Sequence, residues 1–436
     1  MTATRTVELE GHIIDSGMMQ RAFGLVMDLD GDFEVEEFTV GKHKDETSYC
    51  RMAVVADSTD DLREILHELH QIGANLTDPV DARVEPAPAD QVVPHGFYST
   101  TNHPTTVRYD GEWIDVHDIE MDCAIVIEET DDGVRAYTKV LNAIEAGDLV
   151  VTDDAGVRVD PPERPRDSSG PFGFMQGGVS SERPSESLIR QVADAMVETK
   201  ANGGKILVVA GPALIHAGAA DDLARLVREG YVDMISAGNG FATHDIERGL
   251  YGTSLGMDME TMEHPRKGHK HHIYTISEVI RAGGIEAAVE DGLVQNGIMY
   301  ECVQNDVPYV LAGSIRDDGP LPDTITDAVE AQNAIRKQAH EADMVLMLST
   351  LLHSVAVGNC LPSTTKVVCV DINPATVTQL LDRGSSQAIG MVTDIGTFVP
   401  TLADEVLEGE SSVTDGGVDD AAGADGTAGA DGANDA

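Results

Sequence analysis

The stretch SIRDDG, residues 314–319, sets a guanidinium beside two carboxylates: Arg316, Asp317 and Asp318. A planar guanidinium pairs with a carboxylate through two parallel hydrogen bonds, and an aspartate accepts from an ammonium or from ribose hydroxyls. The triplet therefore suits a ligand carrying both signs of charge. Its other reading is a surface turn closed by its own ion pair, worth at most about 1 kcal/mol. A second stretch, SAGNGFATHD at 236–245, flanks Asn239 with Gly238 and Gly240. Either the glycines let backbone approach a phosphate at a helix N-terminus, or they make an ordinary strand-to-helix turn. STLLHS (349–354) repeats the pattern with Thr350 and His353, and VTDIG (392–396) brings Asp394. Asp371 closes VVCVDIN, where an acid accepts from the ribose of a dinucleotide or caps a helix. GHKHHIY gathers His269, His271 and His272. Adjacent histidines cannot all turn to one centre, and no HExxH accompanies them, so the reading is substrate or cofactor contact, or a solvated loop, with no metal.

The elements that must position these groups follow from periodicity. From Ser185, apolar runs alternate with helical stretches: KILVVAG (205–211), VDMISAG (232–238), PYVLAGSI (308–315), DMVLMLST (343–350) and KVVCVDI (366–372). Such runs indicate a parallel sheet covered on both faces, and ligands of such sheets bind outside the carboxyl ends of the strands. AGPALIHAG, AGNGFATHD, SIRDDG, STLLHS and DINP all sit at such ends. No GxGxxG follows KILVVAG, because Gly211 and Gly218 are too far apart, so a dinucleotide site here needs another phosphate cradle.

Upstream, residues 1–83 read as βαββα, an α+β ferredoxin-like module whose second helix starts after the capping side chains of Ser58, Thr59 and Asp60. Residues 84–160 carry short strands punctuated by Gly, Asp and Pro, the mark of a small β-rich subdomain. The Pro- and Gly-dense stretch 161–184 reads as a linker, 185–408 as the catalytic domain, and 409–436, nearly all small and acidic, as a disordered tail.

The 436 residues exceed one ordinary core. Against 76 Asp and Glu stand 29 Lys and Arg, a formal charge of −47. That excess argues against nucleic acid as a partner, since binding a phosphate backbone takes an array of cations. With 42% apolar residues in patterned blocks, it reads as the acidic skin of a folded protein, suited to a high-salt, halophile-like cytoplasm. Cys50, Cys123, Cys302, Cys360 and Cys369 are odd in number and widely spaced, which points to reduced, mostly buried thiols. No leader-like segment opens the chain and no apolar run approaches the ~20 residues of a membrane span, so a soluble cytoplasmic protein without a membrane partner is expected.

Longer motifs carry a resemblance. EGHIIDSG with FEVEEFTVGKHKDETSYCRM resembles the N-terminal module of lysine-oxoglutarate reductase/saccharopine dehydrogenase-related proteins. GNGFATHDIERGLYGTSLGMD, GHKHHIYTISEVIRAGGIEAAVEDG, GIMYECVQNDVPYVLAGSIRDDGPLPDTITDAVEAQ and LSTLLHSVAVGN through VTDIG resemble the archaeal-type ornithine cyclodeaminase family. The resemblance spans about residues 7 to 405. It implies a Rossmann-like NAD domain akin to that of deoxyhypusine synthase, which would account for the missing fingerprint. It implies conversion of L-ornithine to L-proline and ammonia: hydride transfer to NAD, cyclisation, loss of ammonia and return of the hydride. Carried over by motif, the cofactor contacts are Asn239 and Gly240, Asp318, Thr350, Leu351, Leu352 and His353, Asp371, and Asp394 with Ile395. GNG departs from the family in its second small residue, commonly alanine.

Such a reaction needs a group that strips a proton from an ammonium and later donates one to departing ammonia. Asp317 and His272 are the candidates, with Arg316 on the substrate α-carboxylate. The first module is expected to close over the site or to complete the interface of a homo-oligomer. Two other readings stay open: a saccharopine-type NAD-dependent dehydrogenase or reductase, and a non-catalytic NAD or amino-acid sensor.

Overall fold

A computed structural model of the chain describes residues 2–14, 16–43, 46–77, 80–130, 133–160, 185–259, 261, 268–317, 319–381 and 388–414. Asp318, the 161–184 stretch and everything beyond residue 414 lie outside the described residues.

The first module runs β1 (Ala3–Gly11), α1 (Met18–Asp28), β2 (Asp32–Thr39), β3 (Ser48–Ala56), α2 (Thr59–Gln71) and β4 (Asn75–Leu76). Its antiparallel sheet has the order β2-β3-β1-β4, the ferredoxin-like arrangement. Strict alternation along β3 turns Cys50, Met52 and Val54 into the core, where α2 lays Leu62, Ile65 and Leu69 over them. Ser58 caps α2 by accepting from the Asp61 N–H. The short β4 leaves no mark in the sequence, because two residues are too few for a period to register.

Next come β5 (Arg83–Pro86), β6 (Thr105–Tyr109), β7 (Glu112–His117), β8 (Ala124–Thr130), β9 (Gly133–Lys139), β10 (Leu149–Thr152) and β11 (Val157–Val159). They form one sheet in the order β11-β6-β7-β9-β8-β10-β5. This sheet is fastened to the third unit at its turns: Arg336 Nε donates to buried Glu120 at 2.6 Å, and the Ser363 N–H donates to the Asn102 carbonyl at 2.7 Å.

The third unit comprises α3 (Ser185–Ala201), β12 (Ile206–Ala210), α4 (Ala213–His216), α5 (Ala220–Arg228), β13 (Met234–Gly238), α6 (Asn239–Tyr251), β14 (Thr253–Ser254), β15 (Met257–Asp258), α7 (His271–Ala282), α8 (Ile285–Glu290) and α9 (Ile298–Gln304). It continues through β16 (Tyr309–Ala312), β17 (Thr324–Ile325), α10 (Ala328–Glu341), β18 (Met344–Leu348), α11 (Leu351–Cys360), β19 (Lys366–Asp371), α12 (Pro374–Leu381), β20 (Ala388–Val392) and α13 (Ile395–Thr414). The main sheet is parallel throughout, in the order β17-β16-β13-β12-β18-β19-β20. Every residue of β12 and β18 is buried, as central strands with helices on both faces must be. The chain winds outward from β12 to β17, crosses back through α10, and winds the other way from β18. The order therefore reverses between β12 and β18, and the crevice of such a sheet opens there.

Two expectations are corrected here. PYVLAGSI does not stay extended to Ile315: β16 ends at Ala312, because the Asp317 carboxylate takes the Ser314 N–H at 2.7 Å and folds the chain into a turn. Nor does order stop at Gly409, since α13 runs on to Thr414. Extending a formed helix costs little per residue, and nothing in ESSVT breaks one.

Candidate functional site

At the reversal point two strand exits press together. A Cβ on Gly211, after β12, would lie 2.4 Å from the Ser349 carbonyl oxygen and 3.0 Å from Thr350 Cβ. Ser349 itself is left-handed at φ 47, and its hydroxyl oxygen is buried without a partner. Non-glycine residues are held so only where their surroundings enforce it. Thr350 then begins α11 without a side-chain cap, and Gly238 begins α6 in the same way. The first-turn N–H groups of both helices thus face the sheet edge with no capping side chain.

Gly238 makes room for His353: a Cβ there would sit 2.9 Å from the ring Nε2. Burial lowers the His353 pKa, and the nearby Asp317 carboxylate partly opposes it. Asn239 is buried, its Oδ1 accepting from the Leu321 N–H at 2.9 Å and from Thr324 Oγ1 at 3.2 Å. That side chain ties the loop after β16 to the exit of β13. Above Gly240 the space is open, since a Cβ there would meet nothing within 4 Å.

Further along the edge, Asp371 accepts from the Asn373 N–H at 2.8 Å through one carboxylate oxygen. Asp394 starts α13: its carbonyl accepts from the Phe398 N–H at 3.0 Å. Ile395 packs into the core, so only its backbone reaches the edge. Four apolar side chains are exposed at these exits, Leu351 beside Leu352 and Ile372 (each 72%) and Ile315 (107%).

The structure thus unites Gly238, Asn239, Asp317 and His353 around one exit, with Asp371 and Asp394 at neighbouring ones. Arg316 is exposed on the turn, its N–H held by Ser314 Oγ at 3.0 Å. His272 stands in the first turn of α7, within a cluster that adjacency in sequence did not reveal. Its ring centroid is 6.4 Å from that of His244 on α6, which lies 5.1 Å from that of His216 on α4. His244 Nδ1 stands 2.8 Å from Glu247 Oε2. Glu247 is fully buried and also accepts from Thr253 Oγ1 (2.8 Å) and the Gly256 N–H (3.0 Å). Burial alone would raise its pKa, but these donors hold it below the usual range. His216 is pushed down to about 4, chiefly by burial and then by His244. Among the described residues no group of three or more His, Cys, Asp or Glu side chains is arranged to hold a metal ion. The signal for this cluster was present in HDIE, where residues 244 and 247 share a helix face.

A doubly wound parallel sheet with this strand order, and with open helix N-termini along its carboxyl edge, defines an α/β domain of the dinucleotide-binding class. Three family models match: "LOR/SDH bifunctional enzyme conserved region" over residues 4–103, "Arginine dihydrolase ArgZ-like, C-terminal, first region" over 104–189, and "Arginine dihydrolase ArgZ-like, C-terminal, Rossmann fold" over 190–402. The chain belongs to the archaeal ornithine cyclodeaminase family: it is 55% identical over 400 residues to the ornithine cyclodeaminase of Methanopyrus kandleri, covering 92% of this chain and 96% of that protein. Among solved structures it is similar to cyanobacterial ArgZ, an arginine dihydrolase, with TM-score 0.81 and 41% identity, covering 94% of this chain and 59% of that one. AgrE, a bifunctional arginine dihydrolase/ornithine cyclodeaminase of Nostoc, has been solved with ornithine and NAD+. That complex aligns with TM-score 0.52 and 43% identity, covering 94% of this chain and 58% of that one. Among the described residues no helix is long and apolar enough to cross a membrane.

Proposed function

We propose that this chain is an NAD-dependent ornithine cyclodeaminase, converting L-ornithine to L-proline and ammonia. The observation that carries the reading is the AgrE complex, in which a region 43% identical across 94% of this chain accompanies both ornithine and NAD+.

The carboxyl edge suits that cofactor on its own chemistry. A pyrophosphate calls for unpaired backbone N–H groups, which the uncapped starts of α6 and α11 offer at Gly240, Leu351, Leu352 and His353. Ribose hydroxyls call for a carboxylate, and Asp371, with Asp394 and the backbone of Ile395 beyond it, stands at the end of its strand. Planar rings call for apolar contact, which Leu352 and Ile372 expose. On this reading Asn239, Thr350 and Asp318 complete the cofactor contacts. When bound, NAD supplies the acceptor and donor of hydride, so that the α-carbon is oxidised and reduced within one cycle. Arg316 clamps the substrate α-carboxylate in this scheme, Asp317 holds an ammonium, and His272 faces an amine. The exposed Val35 and Phe38 on the edge strand β2 support a homo-oligomer, since an open apolar edge pairs readily with another chain.

Ornithine turnover with a trace of NAD tests the reading. Proline and ammonia should form in equal amounts while reduced nicotinamide, followed by its absorbance, does not accumulate. Stoichiometric accumulation would instead indicate a saccharopine-type dehydrogenase, and ligand binding without turnover a sensor.

A further inference from the structure

We propose that His244 is the group that moves the amine proton of this reaction, with Glu247 as its positioning residue. The substrate named rests on the cyclodeaminase reading; the assignment itself rests on the geometry of α6 and the helices packed on it.

Gly240, His244 and Glu247 fall at i, i+4 and i+7 of α6, on one face. Open space lies above Gly240, one turn before the His244 ring, which is itself largely buried at 8% exposure. Glu247 is fully buried, accepts from three donors and stays anionic. The His244 nitrogen it bonds, Nδ1, must then carry the hydrogen, which leaves the lone pair on Nε2. A second chain of bonds holds the carboxylate from behind. Thr253 Oγ1 donates its only hydrogen to Glu247, so at 2.8 Å from His271 Nδ1 it must accept from that ring.

Among the described residues, the titratable groups facing His244 are Glu247 on its own helix, His216 from α4, and His272 from α7, with His271 acting through Thr253. Asp245 and Arg248 do not face it. Asp245 accepts from the Met299 N–H at the start of α9, and Arg248 pairs with Asp221 on α5. His216, kept neutral chiefly by burial, adds no positive charge beside the pair. Asp317 is worse placed for the task, its carboxylate closing its own turn.

The proton step is balanced within the cyclic aminal. Nε2 takes a proton from the ring nitrogen, whose N–H electrons remain as a lone pair. Nε2 then gives that proton to the α-nitrogen. The C–N bond to the α-nitrogen breaks, its electrons leaving with ammonia, while the ring lone pair closes the C=N bond.

Wild type, His244→Gln and Glu247→Gln decide the matter, each checked by thermal unfolding and NAD affinity. His244→Gln should lower kcat by about 100- to 1,000-fold with NAD affinity unchanged. Glu247→Gln should lower kcat and shift the tautomer balance of residue 244 in nitrogen NMR, because the ring loses the carboxylate that fixes its Nδ1–H. Glu247→Asp should restore part of both. Nitrogen NMR of histidine-labelled protein, assigned with His244→Gln, should report the Nδ1–H tautomer of residue 244 and a shift when ornithine is added. Wild-type kcat in His244→Gln, or wild-type kcat with an unmoved tautomer of residue 244 in Glu247→Gln, overturns the proposal. If wild type forms no proline, the cyclodeaminase reading fails separately, and the ring signal decides: a response to ornithine upholds the placement of His244, and silence overturns it. Should Glu247→Gln not fold, the kcat of His244→Gln and the wild-type ring signal are enough to uphold or overturn the assignment.

Discussion

The turn after β16 and the inner face of α6 both carry charged and titratable side chains, but they hold them in opposite ways. On the turn, Arg316 and Ile315 project into solvent, and Asp317 is restrained by its own loop and by closeness to His353. On α6, Glu247 is buried with three donors and fixes the tautomer of His244. An exposed guanidinium suits capture of a substrate carboxylate, where strength comes from the bidentate pair formed on binding. A buried, fully bonded dyad suits proton transfer, because its geometry is set before the substrate arrives. On the assignment proposed above, conspicuous charge in sequence marks the place of binding, whereas spacing along a helix marks the place of chemistry.

The comparison breaks most directly on turnover. Asp317→Asn is expected to cost about tenfold in kcat with NAD affinity unchanged, against the hundredfold or more expected of His244→Gln. A reversed ranking in steady-state assays would move the proton chemistry to the turn. Next in size is the carboxyl edge of the sheet, where the cofactor is proposed to bind. Asp371→Ala should weaken NAD binding by about 1–3 kcal/mol in calorimetry if ribose hydrogen bonds are lost, and unchanged affinity removes Asp371 from that role. Gly211→Ala should destabilise the protein by about 1–3 kcal/mol in urea unfolding, since its methyl group would press on the backbone of Ser349 rather than on a side chain able to turn away.

The smallest effect concerns pH and stability. The pKa of His216 is about 4 in the folded chain, lowered by burial first and then by His244, whereas an unfolded imidazole titrates at about 6.5. Between those values the unfolded state binds more protons, so stability present above about pH 6.5 is lost as pH falls toward 4. His70, buried beside Tyr98 in the first module, is lowered to about 4 in the same way. Melting temperature should therefore drop from about pH 7 to about pH 5, and His216→Asn should flatten part of that drop. An unaltered slope would mean that His216 does not titrate as a member of the buried cluster.

Much of the fold was readable because burial on both faces writes itself into a run. ILVVA, MISAG, VLML and VVCV announce β12, β13, β18 and β19, and Ser58 announces the start of α2. What escaped were elements too short to show a period, β4 and β17, and the early end of β16, where a side chain competes for backbone. The edge residues Asp371 and Asp394 were legible as acids closing strands. The burial of the Ile395 side chain was not, since nothing local distinguishes a core isoleucine from an exposed one.

From its residues alone this chain determined an α/β class, its acidic surface, and the motifs that tie it to its family, because composition, periodicity and local bonding are properties of neighbours in the chain. Only tertiary structure decided that the strand order reverses between β12 and β18, which presses Gly211 against Ser349. Likewise, only folding brought His216, His244 and His272 together from α4, α6 and α7. Such meetings depend on pairings between segments far apart in sequence, where the gain from burying a shared face outweighs the entropy of closing the chain between them.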